Sequence, residues 1–459
     1  MRIHIKKIRI LAGTATAALG LSTLLTPVVM AGGFAVREQS AEFQGMSWAG
    51  NAASGGGLSG MFWNPAVAAY APVGMYAESH FSGIFGNVNM KGDTFNAAGG
   101  SIGQPLDSGN IANHPAVVPS FYASYRASDR LVVAFSFNAP FGLATEPNRF
   151  SAAQTFARKS EIQTYNAAPT FAYQLMPTVS IGAGLQIQHI VGTLKSAASV
   201  GGVLADQDVI IKGDDTAFGY TAGVNWTPTA QTSIGLGFRS SINHNLNGTA
   251  SIPTFVPALG GFTTLGGSIQ ASMNLPEIVT LSFRHQLNDK LAVLGTAEWS
   301  HWSRVEQLNI VCTSNGAPNL LCPTNGKLVT SLPLGWHDGW MMSVGGEYKY
   351  NSALTLRSGL AYEISPIQNA AERTQRTPDT DRLWLSAGAT YKWSDKIAFD
   401  LGYSHIFGLG SGAIDRTSQS GGPATFLHYV GKVDPNIDIV SASLKIKLGD
   451  LDAPLEPTK

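Results

Sequence analysis

Large apolar residues alternate with small or charged residues in many short segments of this sequence. In residues 397–404, Ile, Phe, Leu and Tyr alternate with Ala, Asp, Gly and Ser. The same pattern occurs in residues 354–363 and 234–239, where Arg357 and Arg239 lie at intervening positions. A period of two places the two sets of side chains on opposite faces of a β-strand. The pattern therefore predicts a sheet with one apolar face and one face of small and charged side chains.

Composition indicates which of the two faces is turned outward. Only 13% of the residues are charged, against roughly a quarter in typical globular domains. After residue 31 no stretch approaches about 18 consecutive apolar residues, so a helical membrane span is not expected. These features favour a barrel in an outer membrane, with the apolar face toward lipid and the polar face toward the lumen. The charges expected in the lumen are those of Arg239, Glu298, Arg357, Glu363 and Asp400.

The first 31 residues have the composition of a secretory signal peptide. Four basic side chains precede an apolar stretch from Ile10 to Leu25, and Val29 and Ala31 stand where signal peptidase requires small residues. A membrane anchor is the alternative, but it would need a longer apolar run. Removing the four basic residues from the 30 Lys and Arg leaves 26 against 30 Asp and Glu. The remaining chain is slightly acidic, so we do not expect a nucleic-acid partner.

Short turns and long loops alternate between the predicted strands. The short turns contain Asn, Asp, Pro or Ser, which favour tight turns, and lie at residues 127–129, 176–178, 227–229, 287–289, 350–352 and 394–396. The longer links lie near residues 91–114, 146–160, 196–208, 249–268, 311–328, 366–380 and 409–434. This order predicts an all-β, antiparallel transmembrane barrel of about fourteen strands. The short turns and both termini would face the periplasm, and the long loops would lie outside the cell.

Residues 32–72 show no alternation and cannot extend the barrel wall. A solvated tail is the alternative, but this segment has too many apolar side chains for one: Phe34, Phe43, Met46, Trp48, Leu58, Met61, Phe62 and Trp63. We therefore predict that residues 32–72 form a hatch inside the lumen. The barrel would follow over residues 73–448, and residues 449–459 would form a C-terminal tail.

Metal binding is not indicated by either candidate cluster in the sequence. Cys312 and Cys322 are the only cysteines, and in an oxidising compartment they favour a disulfide that closes one loop. A zinc site is a poor alternative because no His pair lies nearby. Four aspartates could together bind a hard cation, although a solvated loop tip is the favoured interpretation: Asp206, Asp208, Asp214 and Asp215. We expect neither a metal nor a cofactor.

A series of short motifs extends over nearly the whole chain after residue 31. In order, they are Gly33-Phe34, Asn64-Pro65-Ala66, Val118-Pro119, Phe141 to Glu146, Asn274 to Glu277, Trp299 to Leu308, and Asp379 to Gly388. In order and spacing they resemble the FadL/TodX family of long-chain fatty-acid and hydrocarbon transporters. The resemblance implies a hatch-plugged, usually monomeric barrel of fourteen strands that takes up hydrophobic molecules without energy coupling. It implies as partners a hydrophobic ligand, outer-membrane lipids and the barrel-assembly machinery.

Two apolar loops are the candidate site of ligand capture. An exposed loop should be polar, and an exposed apolar patch usually marks a binding surface. The alternative is that these side chains bury one another as a lid. The resemblance implies that captured ligand then reaches Phe34, deeper in the lumen. The residues proposed for capture are Phe255, Val256, Leu259 and Phe262 in one loop, and Val203 and Leu204 in the other.

The third predicted strand is interrupted at Ala139-Pro140-Phe141-Gly142. Proline lacks the N–H that a β-ladder needs, and glycine often marks a bulge. Such a break within a lipid-facing wall must be filled, since every backbone group there needs a partner. The resemblance implies that Asn64-Pro65-Ala66 of the hatch fills it and that ligand leaves sideways through it. The alternative places Pro140 at the outer rim, where a break costs nothing.

A fatty acid would also need a cation for its carboxylate. Arg239, Arg357 and His337 are the candidates, although Arg357 could instead pair with Glu363 as part of the lumen structure. The basic residue that the family would place near residues 189–192 is absent. Uncharged hydrocarbons are therefore an alternative ligand class.

Two other classes of protein compete with a transporter of hydrophobic molecules. An outer-membrane lipid hydrolase would need a nucleophile, a base and an orienting group at one rim. The histidines are scattered and no Gly-x-Ser-x-Gly motif occurs, so we assign no catalytic residues. A general porin would keep an open lumen without a hatch, unlike the arrangement predicted here.

Overall fold

A computed structural model of the protein describes residues 32–200, 203–256, 261–313, 320–418 and 426–448. The predicted signal peptide and C-terminal tail lie outside these residues. Within them, antiparallel strands form a closed barrel with fourteen wall strands, as the sequence predicts. No helix in the described ranges is long and apolar enough to cross a membrane.

The wall strands are labelled β1 to β14 in chain order, and five of them are interrupted. They are β1 Met75–Asn96, β2 Ala116–Arg126, β3 Leu131–Asn138 with Gly142–Thr145, β4 Lys159–Met176, β5 Val179–Val200, β6 Val203–Thr229, β7 Thr232–Arg239 with Ile242–Val256, β8 Gly261–Leu275 with Ile278–Gln286, β9 Leu291–Ser300 with Gln307–Cys312, β10 Leu328–Pro333 with Gly339–Lys349, β11 Leu354–Ile364, β12 Asp381–Lys392, β13 Ile397–Leu409 and β14 Leu427–Lys447. Two short strands, Asp107–Asn110 and Ala413–Ser418, extend the outer ends of β1 and β14.

The barrel closes where β14 pairs with β1. Tyr76 lies opposite Lys447 at one end of this ladder, and Asn96 lies opposite Leu427 at the other end. Both ends of the wall therefore lie at the same rim as the short turns. All six predicted turns occur at this rim. Five lie at the predicted residues, and the turn expected at 227–229 lies at 230–231.

Two of the predicted long loops are strands in the structure. Strand β5 continues to Val200 and β6 begins at Val203. In the same way, β7 continues to Val256 and β8 begins at Gly261. The prediction of loops at 196–208 and 249–268 was therefore wrong. Residues 249–268 contain many β-branched and aromatic residues, which favour strands, whereas residues 196–208 contain only two valines of this kind. In both segments the ladders of the flanking strands continue outward as a long hairpin.

Alternation along the strands separates the two faces as predicted. Leu236, Leu281, Leu360 and Leu401 are exposed on the outer face. The side chains of the five predicted lumen charges are buried: Arg239, Glu298, Arg357, Glu363 and Asp400. The apolar surface therefore faces outward, the arrangement required of a barrel embedded in lipid.

The segment before β1 fills the inner part of the lumen. It contains the short helix α1, Ala41–Gln44, and two 3₁₀ turns, Leu58–Phe62 and Pro65–Tyr70. Ser40 caps α1, because its Oγ accepts a hydrogen bond from the backbone N–H of Phe43. The apolar residues that argued against a solvated tail are all buried, and they form one core with the inner wall: Phe34, Phe43, Met46, Trp48, Leu58, Met61, Phe62 and Trp63.

Inward-facing glycines let the hatch backbone approach the wall closely. A Cβ added to Gly237 of β7 would overlap the carbonyl oxygen of Trp63, and one added to Gly359 of β11 would overlap that of Met46. Glycines in strands often mark such close backbone approach. Their alternation with large outward residues was visible in the sequence, but their contacts were not.

Replacing Gly359 by valine should weaken the docking of the hatch, because the new side chain would occupy the position of the Met46 carbonyl. Overpacking of this kind costs typically 1–3 kcal/mol, so we expect a loss of about this size in the free energy of unfolding. The measurement is thermal unfolding of the detergent-solubilised barrel. Gly266→Val is the matched control, because a Cβ added to Gly266 meets nothing within 4 Å. Equal stability of the two variants would contradict the prediction.

Candidate functional site

Strand β3 is separated from β2 over the outer part of its length. Residues Leu131–Asn138 lie between β2 and β4, but after Asn138 the strand pairs with β4 alone, through Gly142–Thr145. On the other side, the outer part of β2 pairs with β1 alone. Pro140 is buried, and β3 resumes beyond it. The structure therefore places the break within the wall and not at its outer rim.

The first residues of the hatch fill this break. Ala35 and Phe141 form an antiparallel bridge. The backbone N–H of Val36 donates to the Pro140 carbonyl at 2.8 Å, and that of Gly142 donates to the Phe34 carbonyl at 2.9 Å. Two backbone groups of β3 beside the break, the Pro140 carbonyl and the Gly142 N–H, are thus hydrogen-bonded to residues 34–36.

Gln39 bridges the two sides of the break. Its Nε2 donates to the Ala139 carbonyl on β3 at 2.9 Å. Its own backbone carbonyl accepts hydrogen bonds from Ser120 Oγ at 2.7 Å and Tyr122 Oη at 2.9 Å, both on β2. Sequence reasoning missed Gln39, since nothing local in the sequence places one glutamine opposite residue 139.

The motif Asn64-Pro65-Ala66 lies elsewhere, so the prediction that it fills the break was wrong. Asn64 Nδ2 donates to the Val224 carbonyl on β6 at 3.0 Å, and a Cβ added to Gly182 on β5 would contact Pro65. Asn64 Oδ1 accepts from the N–H of Ala66, which caps the turn Pro65–Tyr70. The motif begins this turn and docks closely against two glycines of the wall, Gly182 on β5 and Gly223 on β6.

A cavity of about 1800 Å³ occupies the outer part of the lumen. Phe34 is part of its lining, and the Phe34 ring contacts those of Phe141, Trp302 and Trp336 at centroid distances of 6.0, 4.8 and 5.6 Å. Phe34 therefore contributes both to the cavity and to the strand that fills the break. Much of the lining is apolar, including Leu143, Ile162, Leu194, Met273, Leu308 and Trp336.

The residues proposed for ligand capture are only partly described. Val203 and Leu204 begin β6, Phe255 and Val256 end the outer part of β7, and Phe262 lies in β8, but the placement of these side chains lies outside the description. Leu259 lies outside the described residues altogether. Their role in capture stays a prediction. On the same hairpins, Ile252 and Ile211 line the cavity.

Two of the predicted carboxylate-binding residues hold the hatch. Arg357 pairs with Glu42 of the hatch at 3.1 Å and with Glu347 at 2.9 Å, so its predicted pairing with Glu363 was wrong. Arg239 donates to the Phe62 carbonyl at 2.9 Å, and its guanidinium lies 4.2 Å from the Phe62 ring centroid. Both arginines lie on the periplasmic side of the cavity, because the hatch occupies the lumen beside their positions on β7 and β11.

The third candidate, His337, pairs with a loop carboxylate. Its Nε2 lies 3.1 Å from Glu372 Oε1, and the His337 side chain is half-exposed. Burial raises the pKa of Glu372, but hydrogen bonds from His337 and Asn369 outweigh burial and lower that pKa below its usual value. His337 is thus engaged outside the cavity, while its neighbour Trp336 lines it.

The remaining clusters noted in the sequence have structural partners. Cys312 and Cys322 form a disulfide with a Cα–Cα distance of 5.4 Å, which closes part of the loop after β9. Asp206 and Asp208 pair with Arg149, and Asp208 also pairs with Arg158 at 2.7 Å. In the described ranges, no group of three or more His, Cys, Asp or Glu side chains is arranged to hold a metal ion.

The histidines in the described ranges do not assemble a hydrolytic triad. His189 and His285 contact the hydroxyls of Thr216 and Thr232, but neither forms an ion pair with a carboxylate there. The histidines that do pair with carboxylates, such as His405 with Asp438 at 2.8 Å, contact no serine hydroxyl or cysteine thiol in the same ranges. Among the residues that the structure describes, a nucleophile, a base and an orienting group are not brought together.

The protein is a closed antiparallel barrel with an apolar outer face, a plugged lumen and a filled break in the wall. These features are those of the plugged β-barrels of outer membranes. The chain belongs to the outer membrane protein transport protein family (OMPP1/FadL/TodX), whose model matches residues 22–443. This confirms the resemblance noted in the sequence and the outer-membrane location.

Two relatives and one solved structure illustrate the similarity. Outer membrane protein P1 of Haemophilus influenzae is 27% identical over 441 residues, covering 84% of this chain and 90% of that protein. The long-chain fatty acid transport protein of Escherichia coli O6:H1 is 26% identical over 446 residues, covering 87% and 94%. The structure of a Pseudomonas aeruginosa FadL homologue covers 90% of this chain and 99% of its own, with 21% identity and a TM-score of 0.78.

Proposed function

We propose that the protein carries hydrophobic small molecules passively across the outer membrane, either long-chain fatty acids or aromatic and aliphatic hydrocarbons. One observation carries the proposal. Phe34 lines the cavity, and the same short strand, residues 34–36, fills the break in the wall. A ligand that displaces Phe34 from the cavity would therefore also open the break. The relatives named for fatty-acid transport support the same class of ligand.

The first step is capture at the outer hairpins. Apolar side chains there, with Ile252 and Ile211 continuing into the cavity, would take ligand out of water. Burial contributes about 0.8 kcal/mol per methylene, which is enough to concentrate a long alkyl chain or an aromatic ring without an energy source. The ligand then moves down the apolar lining toward Phe34.

The second step is exit through the wall. Residues 34–36 are held in the break by two backbone hydrogen bonds to β3 and by ring contacts of Phe34. A ligand that replaces the Phe34 ring between Trp302 and Trp336 compensates for the lost ring contacts. The strand can then leave the break, and the ligand passes between β2 and β3 into the bilayer.

The observations favour this proposal over the two rival classes. A general porin needs an open lumen, whereas residues 32–72 plug the inner part of this one. A lipid hydrolase needs a catalytic constellation, which the described histidines do not form. We therefore assign no catalytic residues. As partners we propose outer-membrane lipids around the apolar outer face and the barrel-assembly machinery, with the protein acting as a monomer.

Sealing the break should lower uptake. Pro140→Val restores an N–H on the side of β3 that faces Val36, so it can complete the pairing that closes the break. Gly142→Val favours the same extended pairing. In cells that lack other such transporters, we expect uptake of labelled oleate or toluene to fall roughly tenfold, equivalent to about 1.4 kcal/mol in the barrier. Pro435→Val is the matched control, because Pro435 lies in the uninterrupted β14 opposite Val88. Unchanged uptake in well-folded Pro140 and Gly142 variants would refute exit at this break.

A further inference from the structure

Arg376 lies on the cavity lining, at a level above Phe34. It belongs to the loop of residues 365–380 between β11 and β12. Thr145 Oγ1 at the end of β3 donates to the Arg376 carbonyl at 3.0 Å, which holds this part of the loop against the wall. The side chain therefore has a defined place in the lumen.

The guanidinium of Arg376 is anchored on one side only. Its Nη1 donates to the Lys159 carbonyl at 3.0 Å, to Ser160 Oγ at 3.0 Å and to the Lys195 carbonyl at 3.3 Å. Its Nε and Nη2 have no hydrogen-bond partner in the described part of the chain. These two groups form one edge of the guanidinium, and that edge matches the two oxygens of a carboxylate.

No carboxylate compensates this charge within the described ranges. Two acidic residues near the cavity are paired elsewhere: Asp415 with His428, and Glu161 with Lys159. Burial lowers the pKa of Arg376 to about 10, so the group is still a cation at neutral pH. A partly buried charge without a counter-charge is costly. Arg37, Arg357 and Arg382 are compensated by carboxylates. Arg373 has no carboxylate partner in the described ranges, but its three guanidinium nitrogens all donate to backbone carbonyls.

The distance from Arg376 to Phe34 suits a molecule with a charged head and an apolar chain. Arg376 contacts Thr145 and Ser160, whereas Phe34 contacts Phe141, four residues earlier on β3. At about 3.3 Å per residue, the two levels are about 13 Å apart. An extended chain of about ten methylenes, at roughly 1.3 Å each, spans this distance. Leu143 and Ile162 line the cavity between the two levels.

We infer that Arg376 binds the carboxylate of an amphipathic ligand whose alkyl chain extends toward Phe34, so that long-chain carboxylic acids are preferred over uncharged hydrocarbons. The inference rests on the proposed uptake function and narrows its substrate class. It gives the cavity a carboxylate-binding residue, a role that Arg239, Arg357 and His337 do not fill because they are engaged by the hatch or by Glu372.

The test compares oleate with methyl oleate, which has the same chain without the charge. Binding is measured by titration of the full-length barrel in lipid nanodiscs. In the Arg376→Gln variant we expect the Kd for oleate to rise roughly 10- to 100-fold, the effect of a lost charge-assisted hydrogen bond, and the Kd for methyl oleate to stay the same. Arg376→Lys should recover only part of the oleate affinity, since lysine lacks the two-pronged edge.

Arg130→Gln is the control, because Arg130 is exposed in the short turn between β2 and β3 and is not part of the cavity lining. It should leave oleate binding close to wild type. An unchanged oleate Kd in Arg376→Gln, or an equal loss for methyl oleate, would overturn the inference. If wild-type cells take up labelled toluene but not oleate, the inference fails and the uptake function stands. If neither compound enters, the proposed function itself fails.

Discussion

A disulfide between cysteines placed at Ala35 and Phe141 should reduce the uptake of hydrophobic compounds to background, and a reductant should restore it. The two residues face each other in the antiparallel bridge that fills the break. The hydrogen bonds flank this pair on both sides, which is the pattern of a close pair with a Cα–Cα distance of about 4.5 Å. That separation lies within the range that disulfides accept. The bond would hold residues 34–36 in the break and close the proposed exit.

The control for this lock is a second disulfide that fixes the hatch at a distance from the break. Ser54 Oγ and Ser233 Oγ lie 2.8 Å apart, so Ser54→Cys with Ser233→Cys should join the hatch to β7. We expect uptake to continue in this variant, because only residues 34–36 need to move. The single-cysteine variants control for loss of the Phe141 ring. Normal uptake by fully oxidised Ala35→Cys, Phe141→Cys protein would refute the proposed exit.

Replacing Glu42 by glutamine should loosen the whole hatch. Glu42 is the hatch carboxylate that pairs with Arg357 of β11 and with Lys445 of β14, and all three side chains are buried. Removing one partner of a buried ion pair costs about 3–5 kcal/mol, because it leaves a charge without compensation. The loss of stability should be smaller than this here, because Arg357 remains paired with Glu347 and Lys445 remains paired with Asp400.

Single-channel recording in planar bilayers measures this effect directly. The wild-type barrel should be nearly silent, because its lumen is plugged, and Glu42→Gln should show frequent openings together with a lower unfolding temperature. Asp395→Asn removes an exposed ion pair with Lys392 in a short turn and should change neither quantity. Silence and unchanged stability in Glu42→Gln would contradict the role assigned to this network. Large steady conductance of the wild type would contradict the plugged barrel and favour a porin.

The sequence alone determined the number of wall strands, their order and which of their residues face the lipid, although not the full length of β5 to β8. Side-chain direction in a strand follows from local chain geometry, so a period of two identifies the lipid-facing and lumen-facing residues without any tertiary information. The turn residues set the number and order of the strands in the same local way. The break in β3 was visible for the same reason, since proline and glycine limit the pairing of their own segment. The hatch was visible because its apolar residues, such as Trp48 and Trp63, lack any strand period.

Only the tertiary structure decided which hatch residues meet which part of the wall. Residues 34–36 fill the break, and Asn64-Pro65-Ala66 docks on β5 and β6, because the path of an irregular chain through the lumen depends on many contacts between residues far apart in sequence. The partners of Arg357, and the hydrogen bonds that anchor one side of Arg376 among the described residues, follow from the same path. The sequence does not show which carboxylate pairs with a given arginine. The partners of Arg357 lie on the hatch and on another strand, and for Arg376 we propose that the partner is the ligand. Each of the fourteen wall strands can therefore be recognised from its own residues. The site depends on contacts between residues far apart in sequence, which only the folded chain brings together.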